Sequence, residues 1–367
     1  MTQSVRSAAG SLLVVGLGGT GLTALERAWL KLIRPAGIIL FKRNIQNVRQ
    51  TRALLADAAP FCTAHCARWV DVEGGTVDRL RDVLASIPSV EIVAQAARER
   101  GRAALAREHG DLIARAVKAF GFNSPLAPVL DLGLPESRKV MGTRCAGETP
   151  AEVAAYAREF LAGLAAQGVA GCGKHFPGLG AGTLDSHLET PQIRRSWQKL
   201  WNDDLEPYRA LSRQLPMVMV NHAAYPLNAD KKRPASVSHF WITDVLRKRL
   251  GYRGIVLSDD LEMGGVAKFM PIGDAAVETV RVGSELVLIC HNPEPIFAAY
   301  EALIAEGEKS VAFRGILLKR ARASERKRAK LFRAGMPAAL GAKQFEALRA
   351  KILRFSEKVA AEGAAPA

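Results

Sequence analysis

Eight short runs of apolar and β-branched residues recur along the chain and predict eight strands. They are residues 12–16, 37–41, 67–72, 126–132, 170–176, 217–222, 254–260 and 286–291. Stretches rich in Ala, Leu and Arg with helical spacing lie between most of them, and residues 151–167 are the clearest example. This alternation of strand and helix predicts an α/β protein built as a (β/α)8 TIM-type barrel, with a doubly wound sheet as the alternative.

A glycine-rich stretch directly follows the first predicted strand. Residues 16–21, GLGGTG, have the spacing of dinucleotide-binding loops, and the cations at 42–43 would suit NADP. However, Thr23 and Glu26 form a capping box that predicts a helix starting at Ala24, too late for its amides to face a pyrophosphate. No ribose-binding acid ends the second predicted strand. We therefore expect no cofactor, and an NADP-binding oxidoreductase is a remote alternative.

Polar side chains close six of the eight predicted strands. They are Asp71, Asp131, Lys174 with His175, Asn221 with His222, Asp259, and His291. A barrel brings the carboxyl ends of its strands together on one rim, where barrel enzymes place their catalytic groups. The pattern therefore predicts an active site on that rim.

The stretch 173–191 is too rich in Gly and Pro to be helical. Within it, Asp185 and His187 are separated by one residue, so on extended backbone they project to the same side and can form a hydrogen bond. The carboxylate would favour the imidazolium and raise the pKa of His187, giving a proton donor that works near neutrality. The alternative is a surface loop with an incidental Asx turn.

The stretch SDDLEM, 258–263, contains two adjacent acids. Asp259 shares a strand face with Leu257, and Asp260 shares the opposite face with Ser258, so only one acid should point into the barrel mouth. Periodicity does not say which one. Alternatively, both acids cap a following helix.

The composition of the 367-residue chain is that of a globular protein large enough to bury a full core. Its five cysteines are scattered, which favours free thiols in a reducing compartment. The stretch 62–66 offers two cysteines and a histidine but no fourth ligand, so we expect no metal. No 18-residue apolar segment or signal-cleavage site appears. We expect a cytoplasmic monomer without a membrane partner.

The net charge of +15 is concentrated near the carboxyl terminus. Residues 319–333 carry eight cations against one acid, Glu325. We interpret this run as the solvated face of a helix in a basic extension, residues 309–367, that follows a catalytic domain over residues 1–308. No nucleic-acid motif accompanies it, so we expect no nucleic-acid partner. The alternative is a catalytically silent barrel whose basic run binds nucleic acid or another anionic polymer.

Several segments together resemble a known family. They are GIILFKRNI (37–45), VDVEGGTVDRL (70–80), LAPVLDL (126–132), KHFPG with DSH (174–187), RPASVS (233–238), SDDLEM (258–263) and LICHNPE (288–294). In this order they resemble the single-domain bacterial β-N-acetylhexosaminidases of glycoside hydrolase family 3 that recycle cell-wall fragments. The resemblance implies a (β/α)8 barrel and a retaining exo-β-N-acetylglucosaminidase acting on peptidoglycan-derived muropeptides.

The resemblance also implies roles for particular residues. It places the nucleophile on Asp259, the acid/base on His187, and the residue that orients it on Asp185. It implies that five side chains contact hydroxyl groups of the terminal sugar: Asp71, Arg79, Arg144, Lys174 and His175. The expected partner is therefore a carbohydrate that contains N-acetylglucosamine.

Three positions depart from the family pattern. Leu179 stands where the family usually has His in PGHG, Thr143 where it usually has Asp before Arg144, and Thr76 where EGGR has Arg. These changes bear on the loop beyond the fifth strand and on aglycone preference. An N-acetylglucosaminide phosphorylase is a close alternative, because a histidine acid/base leaves no anionic carboxylate to repel phosphate. Another β-glycosidase of the same family is a further alternative.

Overall fold

The computed structural model describes residues 3–182 and 190–363, so Asp185 and His187 lie outside the described residues. The strands are β1 (Leu13–Gly16), β2 (Gly37–Leu40), β3 (Ala67–Val70), β4 (Val72–Gly74), β5 (Val77–Asp78), β6 (Cys172–Phe176), β7 (Met217–Val220), β8 (Ile255–Asp260) and β9 (Leu286–Ile289).

The α-helices surround these strands. They are α1 (Val5–Gly10), α2 (Ala24–Ile33), α3 (Val48–Ala58), α4 (Val90–Glu99), α5 (Ala104–Ala119), α6 (Arg138–Met141), α7 (Pro150–Ala166), α8 (Trp197–Lys199), α9 (Glu206–Leu211), α10 (Gly264–Ala267), α11 (Ile272–Val282), α12 (Pro293–Lys309), α13 (Val311–Leu331) and α14 (Ala342–Gly363). Two segments are π-helical: Leu200–Asp204 continues α8, and Phe240–Arg249 precedes β8.

The described strands form an α/β fold around one parallel sheet. Its order is β3-β2-β1-β9-β8-β7-β6, and all neighbours in it are parallel. Seven of the eight predicted runs are therefore confirmed as strands of one sheet. A short antiparallel hairpin, β4 with β5, follows β3 and was not predicted.

The predicted strand over residues 126–132 is wrong as a regular strand, because Pro125 and Pro128 have no amide hydrogen to donate to a ladder. The surrounding segment still bonds to both edges of the sheet. The amide of Val70 in β3 donates to Ser124 O at 3.3 Å, and the amide of Leu130 donates to Lys174 O in β6 at 2.6 Å.

The sheet has a different apolar cluster on each face. In β8, Ile255 and Leu257 pack with Trp69, Met219 and other residues on one face. Val256 belongs to the larger cluster, which contains the buried residues of the surrounding helices. Because side chains alternate along a strand, Asp259 continues the series of Ile255 and Leu257.

The glycine-rich loop after β1 is held by a carboxylate of the chain itself. As predicted, α2 begins at Ala24 with a capping box. Glu26 Oε1 accepts the amide of Gly18 at 2.9 Å, and its Oε2 accepts the amide of Thr23 at 2.8 Å. Gly16 is required for packing, since a Cβ there would lie 1.8 Å from Cys290 O. The loop amide of Gly18 is therefore already occupied.

Helix α13 carries the basic run, and the interpretation of that run as a solvated face is only partly correct. One stripe of the helix is buried: Phe313, Leu317, Ala321, Ser324 and Arg328. Arg328 is completely buried because it continues this stripe at helical spacing. Within residues 3–182 and 190–363, no helix combines the length and apolarity needed to cross a bilayer.

Candidate active site

A cavity of about 300 Å³ opens at the carboxyl ends of the parallel strands. Six of the eight predicted site residues line it: Asp71, Arg79, Arg144, Lys174, His175 and Asp259. The other two, Asp185 and His187, lie outside the described residues. Residues separated by up to 188 positions in sequence are thus brought to one space, as expected from the carboxyl ends of neighbouring parallel strands.

A buried ion cluster forms one wall of the cavity. Lys174 Nζ lies 2.6 Å from Glu73 Oε1 and 3.0 Å from Asp71 Oδ1. Arg144 binds Glu73 through both oxygens, with Nε to Oε2 at 2.7 Å and Nη2 to Oε1 at 2.8 Å. Bidentate pairs of this kind fix the guanidinium in both distance and plane.

Charge in this wall is balanced by the ion pairs. Burial by itself would raise the pKa of Glu73, but the charges of Arg144 and Lys174 outweigh it and hold that pKa far below its ordinary value. Burial would lower the pKa of Lys174, but the carboxylates of Asp71 and Glu73 raise it instead. The carboxylate and both cations therefore remain charged at neutral pH, ready to bind polar groups of a ligand.

His175 is fixed at the base of the cavity by the segment that replaces the predicted strand over 126–132. Its Nδ1 donates to Asp131 Oδ2 at 2.6 Å, which leaves Nε2 facing Arg144 Nη2 at 3.3 Å. The register of β6 shifts between Gly173 and Phe176, so Lys174 and His175 both line the cavity although they are adjacent.

Asp259 is half-buried and lies on the cavity side of β8. Its Oδ1 accepts the amide of Asp260 at 2.9 Å. Burial would raise its pKa, but His175, His222, the amide of Asp260 and Lys174 together lower the pKa of Asp259 below its ordinary value. It is therefore an anionic carboxylate at neutral pH, as a nucleophile or a stabiliser of positive charge must be.

The prediction that only one of the two adjacent acids reaches the mouth is wrong, because Asp260 also lines the cavity. The two acids have different partners. Asp260 Oδ2 lies 3.3 Å from His291 Nε2, and this contact raises the pKa of His291. His222, which we grouped with His291 as a rim residue, is completely buried and binds Ser236 Oγ and Asp260 O.

Two buried acids of the site, Glu73 and Asp131, were not predicted as site residues. Asp131 was noted only as a polar strand end, and Glu73 only within a departure from a family motif. Both signals were present in the sequence, since Glu73 follows Asp71 at strand spacing. In contrast, Arg79 lines the cavity without a side-chain partner among the described residues, and its Nε is buried. Its guanidinium is therefore available to a ligand.

The cysteine-rich stretch 62–66 does not form a metal site in the described part of the chain. No group of three or more His, Cys, Asp or Glu side chains has a suitable arrangement there. All five cysteines are free and buried, which confirms the prediction of free thiols.

Sequence comparisons identify relatives over most of the chain. The profile of the glycosyl hydrolase family 3 N-terminal domain matches residues 5–315. A β-hexosaminidase of Alkalilimnicola ehrlichii is 39% identical over 295 residues, covering 79% of this chain and 84% of the relative. A β-hexosaminidase of Stenotrophomonas maltophilia is 36% identical over 312 residues, covering 83% and 91%.

Solved structures give the same result. A family 3 β-N-acetylglucosaminidase from a Paenibacillus species aligns with a TM-score of 0.87 and 31% identity, over 97% of this chain and 69% of that one. Native NagZ from Neisseria gonorrhoeae aligns with a TM-score of 0.75 and 29% identity, over 94% and 97%.

Proposed function

The chain belongs to glycosyl hydrolase family 3 and is a glycoside hydrolase, and from this premise we propose that it is a retaining exo-β-N-acetylglucosaminidase with Asp259 as its nucleophile. One observation carries the proposal. An anionic Asp259 shares a cavity of about 300 Å³ with Arg79, Arg144 and Lys174. Cations and carboxylates held at fixed angles beside a nucleophile are the groups that orient a polyol.

The mechanism follows from these groups. A carboxylate oxygen of Asp259 attacks the anomeric carbon while the bond from that carbon to the leaving oxygen breaks. His187 gives its proton to the leaving oxygen, and Asp185 orients the imidazole. In the second step His187 takes a proton from water, whose oxygen displaces Asp259 from the glycosyl-enzyme. Two displacements at the same carbon retain its configuration.

We further infer that Asp71, Arg79, Arg144, Lys174 and His175 bind the terminal sugar. Arg144 and Lys174 are held by Glu73, and His175 is held by Asp131, so these three side chains are fixed before a substrate arrives. Preorganised donors of this kind cost little reorganisation during the reaction. Arg79 has no side-chain partner to exchange among the described residues.

The finer fold assignment is a (β/α)8 barrel over residues 1–308, followed by an extension over 309–367. The hydrogen bonds of the segment 124–130 to β3 and β6 support closure of the sheet. A terminal N-acylated glucosamine is supported by the likeness to NagZ of Neisseria gonorrhoeae, which was solved in complex with N-trifluoroacetyl-D-glucosamine. We propose that this sugar comes from peptidoglycan-derived muropeptides. Five buried free thiols support a cytoplasmic location.

Covalent trapping tests the nucleophile. The protein is incubated with a 5-fluoro N-acetylglucosaminyl fluoride, digested, and analysed by mass spectrometry. We expect the label on the peptide that contains Asp259, and in Asp260→Asn it should remain there. In Asp259→Asn the label should be absent, and the variant should no longer release nitrophenol from 4-nitrophenyl N-acetyl-β-glucosaminide. A label on any other residue would overturn the assignment.

Product analysis separates hydrolysis from phosphorolysis. The same substrate is turned over with and without inorganic phosphate, and the sugar product is identified by mass spectrometry. Hydrolysis predicts free N-acetylglucosamine under both conditions. N-acetylglucosamine 1-phosphate as the main product would make the chain a phosphorylase.

A further inference from the structure

A buried carboxylate outside the cavity contacts both ends of one segment of the chain, residues 178–195. Asp204, in the π-helical segment after α8, is 1% exposed. The chain leaves β6 through Gly178 and returns through Arg195, and Asp204 contacts both positions. The segment between them includes Asp185 and His187.

The contact with Gly178 is a close backbone approach. A Cβ built on Gly178 would lie 2.8 Å from Asp204 Cβ and 2.9 Å from its Oδ1. The φ angle of Gly178 is +134°, which a residue with a side chain rarely adopts. The carbonyl of Gly178 accepts a hydrogen bond from the hydroxyl of Tyr225 at 2.7 Å. This end of the segment 178–195 is therefore fixed by Tyr225 on one side and by Asp204 on the other.

The contact with Arg195 is an ion pair. Arg195 Nε lies 2.9 Å from Asp204 Oδ2, and its Nη2 lies 2.5 Å from Asp203 Oδ2. The contact between Arg195 and Asp204 is an ion pair and not a well-aligned hydrogen bond, since neither oxygen of Asp204 accepts an aligned N–H among the described residues. Asn228 holds the carbonyl of Arg195 at 3.0 Å, so the returning chain is fixed as well.

We propose that Asp204 is a positioning residue for the reaction: its side chain packs closely against Gly178 while its carboxylate pairs with Arg195, and these two contacts set where the segment containing His187 starts and ends. The inference rests on the proposed role of His187 as acid/base. A displacement of about 1 Å at a catalytic group can cost on the order of 100-fold in rate, so the anchors of that segment matter although they do not touch substrate.

The charges around Asp204 predict when the anchor works. Burial raises the pKa of Asp204 to about 7, against the opposing charge of Arg195 and with a further contribution from Asp131 and Asp203. The hydroxyl groups of Tyr208 and Tyr225 also face it and stay protonated, because burial raises the pKa of each. Asp204 is therefore neutral below about pH 7 and paired with Arg195 above it.

Asp204→Asn fixes the neutral state and tests the proposal through its pH dependence. We expect kcat on an alkyl N-acetyl-β-glucosaminide to equal that of wild type at pH 5.5 and to be about tenfold lower at pH 8, with KM unchanged. Asp203→Asn is the matched control, since it removes the other acid that binds Arg195, and it should match wild type at both pH values. Thermal unfolding at each pH checks that every variant is folded.

A substrate with a leaving group that needs no proton separates positioning from a general structural effect. On the 2,4-dinitrophenyl glycoside the loss in kcat/KM at pH 8 should shrink to less than about twofold, because kcat/KM reports the first displacement and His187 is not needed as an acid in that step. A ratio to wild type that is the same at both pH values, or the same for both substrates, would overturn the proposal.

A second variant keeps the test open if Asp204→Asn does not fold. Arg195→Gln removes the partner charge, and we expect the same selective loss at pH 8 on the alkyl glycoside. Wild-type activity on the glycosides tests the proposed function separately. If wild type is inactive on them, the proposed function fails; if wild type is active and both variants match it at pH 8, only the role of Asp204 fails.

Discussion

Buried charges occur at both ends of the parallel sheet, but they have different partners. At the carboxyl ends, Glu73 binds two side chains, Arg144 and Lys174, and all three line the cavity. At the amino ends, Arg328 of α13 donates Nη1 to main-chain carbonyls, at 2.8 Å to Ala64 O and 3.1 Å to His65 O.

A second group at the amino ends follows the same rule. Glu285 precedes β9 and accepts the amide of Val256 at 2.8 Å, while Lys327 joins Glu285 to the carbonyl of Gly254 at 2.7 Å. Charges at this end therefore bind the backbone where strands begin, even where they also pair with one another as Glu285 and Lys327 do. Charges at the other end bind one another beside an open space, so they can also bind a ligand. The difference predicts that substitutions at the carboxyl ends change catalysis and those at the amino ends change stability.

Glu73→Gln should have the largest effect. It leaves Arg144 and Lys174 without their shared carboxylate, and removing one partner of a buried pair costs about 3 to 5 kcal/mol. If half of that cost falls on sugar binding in the transition state, kcat/KM drops by at least about tenfold, and by over 100-fold if nearly all does. Steady-state kinetics on the 4-nitrophenyl glycoside measure it.

The control for that variant is Glu285→Gln at the opposite end of the sheet. It also removes a buried carboxylate that binds two cations, Arg247 and Lys327. Its kcat/KM should stay within about twofold of wild type, because none of these groups lines the cavity. A kinetic loss as large as that of Glu73→Gln would remove the distinction between the two ends.

Arg328→Met tests the amino ends directly. The substitution keeps the apolar stem but leaves the carbonyls of Ala64 and His65 without their donor, so we expect a loss of about 3 kcal/mol in unfolding free energy. Urea denaturation followed by circular dichroism measures it. An unchanged unfolding midpoint, or a selective loss of kcat in a fully folded variant, would contradict the expectation.

Acid should weaken the carboxyl-end cluster by a smaller amount. The pKa of Glu73 is lowered in the folded protein, so its contribution is complete above its ordinary value of 4.5 and is lost as pH falls below it. Between pH 5 and pH 3, wild type should lose on the order of 1 to 2 kcal/mol more than Glu73→Gln does. Parallel unfolding curves for the two proteins over this range would show that Glu73 is not linked to stability.

Local sequence patterns predict some parts of both ends of the sheet and miss others. The positions of seven strands and the approach of Asp71, Lys174 and Asp259 follow from apolar runs and the polar residues that end them, which are local patterns. Residues 126–132 have the same apolar pattern. A pattern of apolar positions does not record whether each residue has the amide hydrogen that a strand needs, and proline lacks it. The partner of a buried charge is set by contacts distant in sequence, which is why Glu73 and Arg328 were not recognised.

The exposed face of α13 should show the smallest effect. Arg322 and Arg326 are exposed on the side opposite Arg328 and have no partner among residues 3–182 and 190–363. Because surface charges without partners contribute little, Arg322→Gln with Arg326→Gln should change stability by less than about 0.5 kcal/mol and leave kcat/KM unchanged. Retention on heparin is measured as a function of salt concentration for wild type and for the double variant. Loss of these two arginines should change that retention only slightly. A large loss of retention in the double variant would instead assign the exposed face of α13 to binding an anionic polymer. The basic run would then have one stripe of side chains for folding and another for a partner.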